Sequence, residues 1–338
     1  MSEVVWSTVK SFYRAIIERL SKRIFRARAL RLKSVAARHT ILITASELAD
    51  ELKGKAPPVL LDCRFNLLDP GEGRAQYREG HIPSALYLHL NEDLSAPVEP
   101  GQTGRHPLPN LSALGKLLAR LGINKDTPVV IYDQHQAGFA GRCWWLLRHL
   151  GVRRSRLLDG GFAAWQAAGG QTEQTEHVPI PIDWGPGEVH TRTADAEAVE
   201  RYSQLLAPSA WDHAPSEGES GVSLLDARDH ERYLGRIEPI DPVAGHIPGA
   251  LCRPFTANLN DEGCFLSVDT LQQDFLALGI DETQPVVCYC GAGVTATINL
   301  VALILAGFEE PILYPGSFSE WITDASRPIG GEHDAISN

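Results

Sequence analysis

The sequence has no long hydrophobic run and no cysteine pattern of the kind that binds metal. No stretch reaches 18 consecutive apolar residues, so we expect no membrane-spanning segment. The cysteines form no CxxC pair and no zinc-type spacing, which predicts reduced thiols, a cytoplasmic location and neither metal nor cofactor. They are Cys63, Cys143, Cys252, Cys264, Cys288 and Cys290.

Positive charge is scarce outside the N-terminus. The net charge is −11, although residues 1–40 alone carry +8, so the other 298 residues carry −19. Such an acidic body argues against nucleic acid as a partner. A length of 338 residues, 43% of them apolar and 22% charged, is typical of a soluble protein with two globular domains.

The first forty residues predict a basic amphipathic helix. Apolar side chains recur at helical spacing with Arg and Lys between them, which is compatible with a membrane surface or an organelle transit peptide. A transit peptide would place the protein in an organelle matrix. The alternative, which we favour here, is a leader without function. The apolar positions are Val5, Val9, Phe12, Ile16, Leu20 and Ile24.

Residues 286–306 carry the strongest chemical signal. Residues 286–289 are β-branched or aromatic around one cysteine, which predicts a buried strand, and the Ala- and Leu-rich run from Ala296 predicts a buried helix. Two glycines in the connecting loop 290–295 let successive N–H groups point at one spot, and the helix N-terminus adds its positive end. Cys290 at the start of this loop is therefore expected to be a thiolate nucleophile. The alternative is a buried, inert cysteine.

Four motifs occur twice in the same order, which indicates a tandem duplication of an α/β unit. The pairs are 60–64 with 224–228, 80–85 with 245–250, 129–133 with 286–290, and 158–165 with 313–321. We therefore predict a leader at 1–40, a first domain at 41–175, a Pro-rich linker at 176–188, a second domain at 189–325 and a tail at 326–338.

The two copies differ at the position that matters for chemistry. Where the second has Cys290, the first has Asp133, which cannot accept and pass on sulfur. The first copy is therefore expected to be inactive. The repeated His-Ile-Pro turns are interpreted as structural, because Pro fixes the turn and His satisfies backbone groups. Asp226 and Arg228 are expected to support a strand end.

Together, these motifs resemble the two-domain rhodanese superfamily of sulfurtransferases over residues 41–325. The resemblance implies an α/β fold in which a parallel sheet flanked by helices occurs twice. It implies that Cys290, at the domain interface, takes a sulfane sulfur from a small donor and becomes a persulfide. The sulfur then passes to a thiophilic acceptor such as cyanide, a small thiol or a thioredoxin-like protein.

The resemblance leaves two donors open, thiosulfate and 3-mercaptopyruvate. The loop is similar to that of mercaptopyruvate enzymes, since thiosulfate enzymes usually carry Arg and Lys where Gly291 and Ala292 stand. Arg232 matches an arginine that both types place near the donor, and we expect it to be exposed. A second arginine, which mercaptopyruvate enzymes use for the carboxylate, is here Asp241. Because Asp241 would repel that carboxylate, the sequence favours thiosulfate.

Further site candidates follow from the same resemblance. Arg105 and His106 lie in a Gly- and Pro-rich loop that approaches the cleft in the family, and Arg236 is a second possible source of charge. Cys288 is interpreted as a buried bystander, with a resolving thiol as the alternative. The residues expected to bind the donor through the loop are Gly291, Ala292, Gly293, Val294 and Thr295.

Two other function classes stay open from the residues alone. Related single-domain folds, such as phosphatases and arsenate reductases, hold oxyanions in a similar loop. Those loops are one residue longer and end in Arg, whereas this one ends in Thr295. The other class is a persulfide carrier without turnover of its own.

Overall fold

A computed structural model describes residues 37–185, 189–206 and 221–332. Most of the predicted leader lies outside these residues. The part that is described is helical at 37–41, and Arg38 pairs with Asp159 at 2.8 Å. Within the described ranges, no helix combines the length and apolar character that crossing a membrane requires.

The first domain is a five-stranded parallel sheet with helices around it. Its spatial strand order is β1-β5-β4-β2-β3. The strands are β1 (Leu42–Ile43), β2 (Val59–Asp62), β3 (Leu86–Tyr87), β4 (Val129–Tyr132) and β5 (Ser155–Leu158). The helices are α1 (Ala45–Leu52), α2 (Glu72–Glu79), α3 (Leu111–Arg120), α4 (Gly138–His149) and α5 (Gly161–Ala167).

The second domain repeats this plan with four parallel strands in the order β7-β6-β8-β9. The strands are β6 (Ser223–Asp226), β7 (Leu251–Cys252), β8 (Val286–Tyr289) and β9 (Ile312–Leu313). The helices are α6 (Ala196–Leu206), α7 (His230–Tyr233), α8 (Val268–Ala277), α9 (Ala296–Leu305) and α10 (Ser317–Trp321), with a 3₁₀ turn at Phe255–Asn258.

The duplication predicted from the sequence is visible in the strand register. Leu60 is opposite Val130 in the first sheet, and the corresponding Leu224 is opposite Val287 in the second. Both sheets are therefore paired in the same way at the strand that leads to the loop of interest. The predicted α/β fold with flanked parallel sheets is confirmed.

The repeated polar motifs support the fold in both copies. His81 stacks on Tyr77 and its Nδ1 lies 2.7 Å from the Tyr77 carbonyl, and His246 does the same with Tyr233. Arg228 pairs with Asp226 at 2.7 Å and lies over the Phe318 ring. The Arg228 contacts lie at the end of β6, in line with the support of a strand end that the sequence predicts.

The linker and the end of the chain pack against the domains. Trp184 lies against Gly115, where an added Cβ would come within 2.7 Å of the indole nitrogen. In the segment assigned to the tail, Gly330 exchanges backbone hydrogen bonds with His246 at 2.8 and 2.9 Å. The tail thus begins as part of the packed second domain.

The two domains meet along α4 and α9, the helices that follow the Asp133 and Cys290 loops. Gly141 of α4 sits so close that an added Cβ would lie 2.6 Å from Ile298 Cδ1 and 2.7 Å from Thr297 Oγ1. The largest apolar cluster includes side chains of both helices. This packing places the start of α9, and with it the Cys290 loop, against the first domain.

Candidate active site

A cavity of about 420 Å³ lies between the domains, and Cys290 lies in its wall. The first domain contributes Arg105, His106 and Phe139, and the second contributes Arg232 and the loop that follows β8. Only 2% of Cys290 is exposed to solvent. The predicted position of Cys290 at the domain interface is thus what the structure shows.

The loop after β8 forms the predicted ring of N–H donors around the Cys290 sulfur. Burial acts to raise the pKa of Cys290. Hydrogen bonds from the Thr295 hydroxyl and from the N–H groups of Ala292, Ala296 and Val294 outweigh burial, and the pKa lies below that of an ordinary cysteine. The sulfur is therefore favoured as a thiolate.

The shape of this loop depends on Gly293. Its φ of +70° lies in the left-handed region, and an added Cβ would come 2.1 Å from the Pro315 carbonyl oxygen. Gly291 is required for a different reason, since an added Cβ would lie 2.8 Å from an Arg105 guanidinium nitrogen. One glycine shapes the backbone, and the other leaves room for a cation.

The segment after β9 stabilises the Cys290 loop through hydrogen bonds to its backbone. Ser317 Oγ accepts a hydrogen bond from the Cys290 N–H at 3.1 Å, and the Ser319 N–H donates to the Gly291 carbonyl at 2.9 Å. Ser319 Oγ also accepts from the Arg105 N–H at 3.1 Å. This segment is part of a repeated motif, but neither serine was predicted from the sequence to have a role. Their position after a strand that neighbours β8 was the available signal.

Arg232 points into the cavity, but it is not exposed as the sequence analysis expected. Its side chain is 12% exposed and pairs with Glu238 at 2.7 Å and Asp241 at 3.1 Å. A guanidinium nitrogen lies 3.6 Å from the Cβ position of Gly291. Arg232 therefore combines a place beside the loop with a structural role in holding two buried carboxylates.

Asp241, which the sequence predicted to repel a donor carboxylate, is held between two arginines. Asp241 is buried and forms ion pairs with both Arg105 and Arg232. Arg105 reaches it from the first domain, so the pair crosses the interface. Because two guanidinium groups compensate the carboxylate, its repulsion of an incoming anion is largely cancelled.

Of the other two candidates, His106 lines the cavity and Arg236 does not. His106 lines the cavity and its Nε2 lies 3.1 Å from Asn91 Oδ1. Burial lowers the pKa of His106 to about 4, with help from Arg142 and Arg105, so the ring is neutral at physiological pH. Arg236 is 44% exposed and pairs with Glu231 at 3.1 Å, outside the cavity lining.

The Asp133 carboxylate fills the corresponding loop of the first domain. It accepts hydrogen bonds from the N–H groups of His135, Ala137, Phe139 and Ala140 at 2.9–3.2 Å. The first copy has therefore kept its ring of donors and satisfies them with its own side chain. This explains in physical terms why an acidic residue can replace the cysteine without loss of the fold.

Comparison with known proteins gives the family. The pattern of the rhodanese-like domain matches residues 44–168 and again residues 210–324. This chain belongs to the rhodanese family. The first matched segment contains β2 to β5 and the second contains β6 to β9, so the predicted tandem membership is confirmed.

Related rhodanese proteins are named as sulfurtransferases. A probable 3-mercaptopyruvate sulfurtransferase from Pseudomonas aeruginosa is 47% identical over 293 residues, which cover 85% of this chain and 97% of the relative. A putative thiosulfate sulfurtransferase, SseB, from Mycobacterium tuberculosis is 41% identical over 294 residues, which cover 87% of this chain and 98% of the relative. The predicted enzyme class, a sulfurtransferase, is confirmed, which argues against the phosphatase alternative.

Solved rhodanese structures agree with this assignment. The 3-mercaptopyruvate sulfurtransferase from Leishmania major superposes with a TM-score of 0.69 at 28% identity, covering 86% of this chain and 75% of its own. The 3-mercaptopyruvate sulfotransferase SseA from Escherichia coli superposes with a TM-score of 0.68 at 28% identity, covering 83% of this chain and 100% of its own.

Proposed function

We propose that the protein moves a sulfane sulfur from a small anionic donor through a persulfide on Cys290 to a thiophilic acceptor. The observation that carries the proposal is a buried cysteine sulfur inside a ring of N–H donors that lower its pKa, beside the guanidinium groups of Arg105 and Arg232. The thiolate supplies the nucleophile, and the N–H ring suits the anionic outer sulfur of a persulfide. The guanidinium groups supply a place for the charged part of a donor.

The transfer runs in two displacements. The Cys290 thiolate attacks the transferable sulfur of the donor, a sulfur–sulfur bond forms, and the bond from that sulfur to the rest of the donor breaks. With thiosulfate a sulfur–sulfur bond breaks and the leaving group is sulfite. With 3-mercaptopyruvate a carbon–sulfur bond breaks and the leaving group is the enolate of pyruvate, which takes up the proton of the former thiol. Cyanide or a thiolate then attacks the outer sulfur, which leaves as thiocyanate or a new persulfide and restores the Cys290 thiolate.

The structure shifts the choice of donor toward 3-mercaptopyruvate. The sequence argument for thiosulfate depended on repulsion by Asp241, which is compensated by Arg105 and Arg232. Glu238 and Asp241 in turn neutralise much of the positive charge of these two guanidinium groups. Little positive charge is left for the donor, so a carboxylate monoanion is easier to accommodate than a dianion. Phe139 and Phe255 give the cavity an apolar wall that fits a carbon skeleton.

Thiosulfate stays the second candidate, because it needs no carboxylate site and the N–H ring serves both donors. Steady-state kinetics with the two donors, with cyanide as acceptor, decide between them. A kcat/KM for 3-mercaptopyruvate at least tenfold above that for thiosulfate is expected. The reverse order would restore the thiosulfate assignment, and no turnover with either donor would favour a persulfide carrier instead.

Arg232→Ala is expected to lower kcat/KM for the preferred donor by about 10- to 100-fold, the range of a lost hydrogen bond to a charged group. Because Glu238 and Asp241 lose a buried partner, the free energy of unfolding should also fall, by about 1–3 kcal/mol. Kinetics at a temperature where the variant is fully folded separate the two effects.

Arg236→Ala is the matched control for this prediction. It removes an arginine from the same segment, but one whose ion pairs are with the exposed Glu231 and Glu332. The kcat/KM should stay within about twofold of the original value, and the melting temperature should be unchanged, because exposed ion pairs contribute little to stability. Equal kinetics in the two variants would remove Arg232 from the donor site.

A further inference from the structure

One buried arginine beside the active loop comes from the inactive domain. Arg142 lies on α4, is fully buried, and donates to four carbonyl oxygens: Gly293 at 3.0 Å, Leu94 at 3.4 Å, His106 at 3.1 Å and Pro107 at 3.2 Å. Among the described residues, no carboxylate forms an ion pair with it, whereas Arg105 has one such partner and Arg228 and Arg232 have two each. A buried charge of this kind requires compensation from elsewhere.

The contact with Gly293 leads directly to the sulfur. Arg142 bonds the carbonyl of the Gly293–Val294 peptide, and the N–H of this peptide is one of the donors to Cys290. In a trans peptide, the C=O and N–H groups point to opposite sides of one rigid plane. The guanidinium group therefore fixes the direction of that N–H and, by polarising the peptide, strengthens its hydrogen bond to the sulfur.

In the part of the chain that the structure describes, the second domain does not make the corresponding contact with the loop of the first domain. By the offset that relates Asp133 to Cys290, the residue of α9 that corresponds to Arg142 is Asn299. Asn299 donates to the Arg253 carbonyl at 3.0 Å, which is a contact inside the second domain. Arg142 thus reaches from the domain with Asp133 to the loop of the domain with Cys290. Within the described segments, the corresponding Asn299 makes no such contact with the loop of the first domain.

We propose that Arg142 is a positioning residue that stabilises the anionic sulfur of Cys290 through the Gly293–Val294 peptide and through its charge. The role rests on the proposed function only in that the anion is a catalytic thiolate or persulfide. It gives the inactive domain a part in the chemistry of the other. Burial lowers the pKa of Arg142 to about 10, and the charge of Cys290 acts in the opposite direction, as a counter-ion would.

The test is the pH dependence of Cys290 alkylation by iodoacetamide, followed by mass spectrometry of the Cys290 peptide. Other charged or titratable groups that line the cavity are Arg105, His106, Asp133, His135, Arg228, Asp229 and Arg232. They are present in every variant, and among them His106 is coupled to Arg142, which helps to keep its pKa low. Without that charge the pKa of His106 would rise, and a protonated His106 would lower the alkylation midpoint, so a rise of the midpoint reports Arg142 itself. This measurement needs no sulfur donor, and a failure of the proposed function would leave it valid.

Arg142→Gln keeps a hydrogen-bond donor but removes the charge, and Arg142→Lys keeps the charge but loses the forked contacts. We expect the midpoint of alkylation to rise by about one pH unit in Arg142→Gln, a tenfold loss of thiolate at a given pH, with Arg142→Lys between it and the original protein. At neutral pH, kcat should fall more than KM rises.

Leu147→Ala on the same helix is the control, because Leu147 is buried in the apolar core and does not line the cavity. It should destabilise the protein and leave the alkylation profile unchanged. A folded Arg142→Gln variant with the original profile would overturn the proposal. If Arg142→Gln does not fold, Arg142→Lys decides, and an unshifted profile in that variant overturns the proposal equally.

Discussion

Cys290→Ser is expected to abolish sulfur transfer with every donor, a loss of at least about 10³-fold in kcat/KM. A serine hydroxyl cannot form a persulfide, and it stays protonated near neutral pH even inside a ring of N–H donors. The ring itself should survive, since its shape depends on Gly293 and on the Ser317 and Ser319 contacts rather than on the sulfur. The variant should therefore fold with the circular dichroism and melting behaviour of the original protein.

Cys288→Ala is the control that separates the nucleophile from its neighbour. Cys288 lies two residues before Cys290 and is fully buried, and burial raises its pKa well above the usual range. It is thus expected to be an inert thiol, and its replacement should keep most of the activity. Residual activity in Cys290→Ser would contradict the assignment, and loss of activity in Cys288→Ala would revive a resolving role.

The elements around Cys290 could be predicted because their signals are local. The strand at Val286–Tyr289 and the helix at Ala296–Leu305 follow from side-chain type alone, and the loop between them follows from two glycines. The duplication extended this reasoning, since one repeat could be compared with the other. That comparison showed that Asp133 stands where the nucleophile is missing. It did not show that the Asp133 carboxylate accepts hydrogen bonds from the N–H groups of the corresponding loop in the first domain.

The contacts across the domain interface could not be predicted in this way. Arg105 meets Ser319 over a separation of 214 residues, and Arg142 meets Gly293 over 151. No periodicity or spacing in the chain encodes such pairs, because they depend on how two domains pack. The compensation of Asp241 has the same origin, since Arg105 reaches it from the other domain.

Gly293→Ala is expected to have the second-largest effect, with kcat/KM lower by about 100-fold, as for the loss of a backbone donor from an anion-binding site. Alanine at a φ of +70° costs about 1–2 kcal/mol per residue in backbone strain. Its Cβ would also lie 2.1 Å from the Pro315 carbonyl oxygen, so the loop or the segment after β9 has to move. Either movement turns the Val294 N–H away from Cys290 and raises the pKa of its thiol.

Gly291→Ala is the matched comparison, because it adds the same methyl group to the same loop. There the added Cβ would meet the end of the Arg105 side chain, which can move at small cost, and no positive φ is involved. The Gly291 variant should therefore keep the alkylation profile of Cys290 and lose mainly affinity for the donor, through displacement of Arg105. If both variants instead shifted the profile equally, the shape of the loop would not depend on Gly293. Equal kinetics for Gly293→Ala and the original protein would show that the N–H ring does not contribute to transfer.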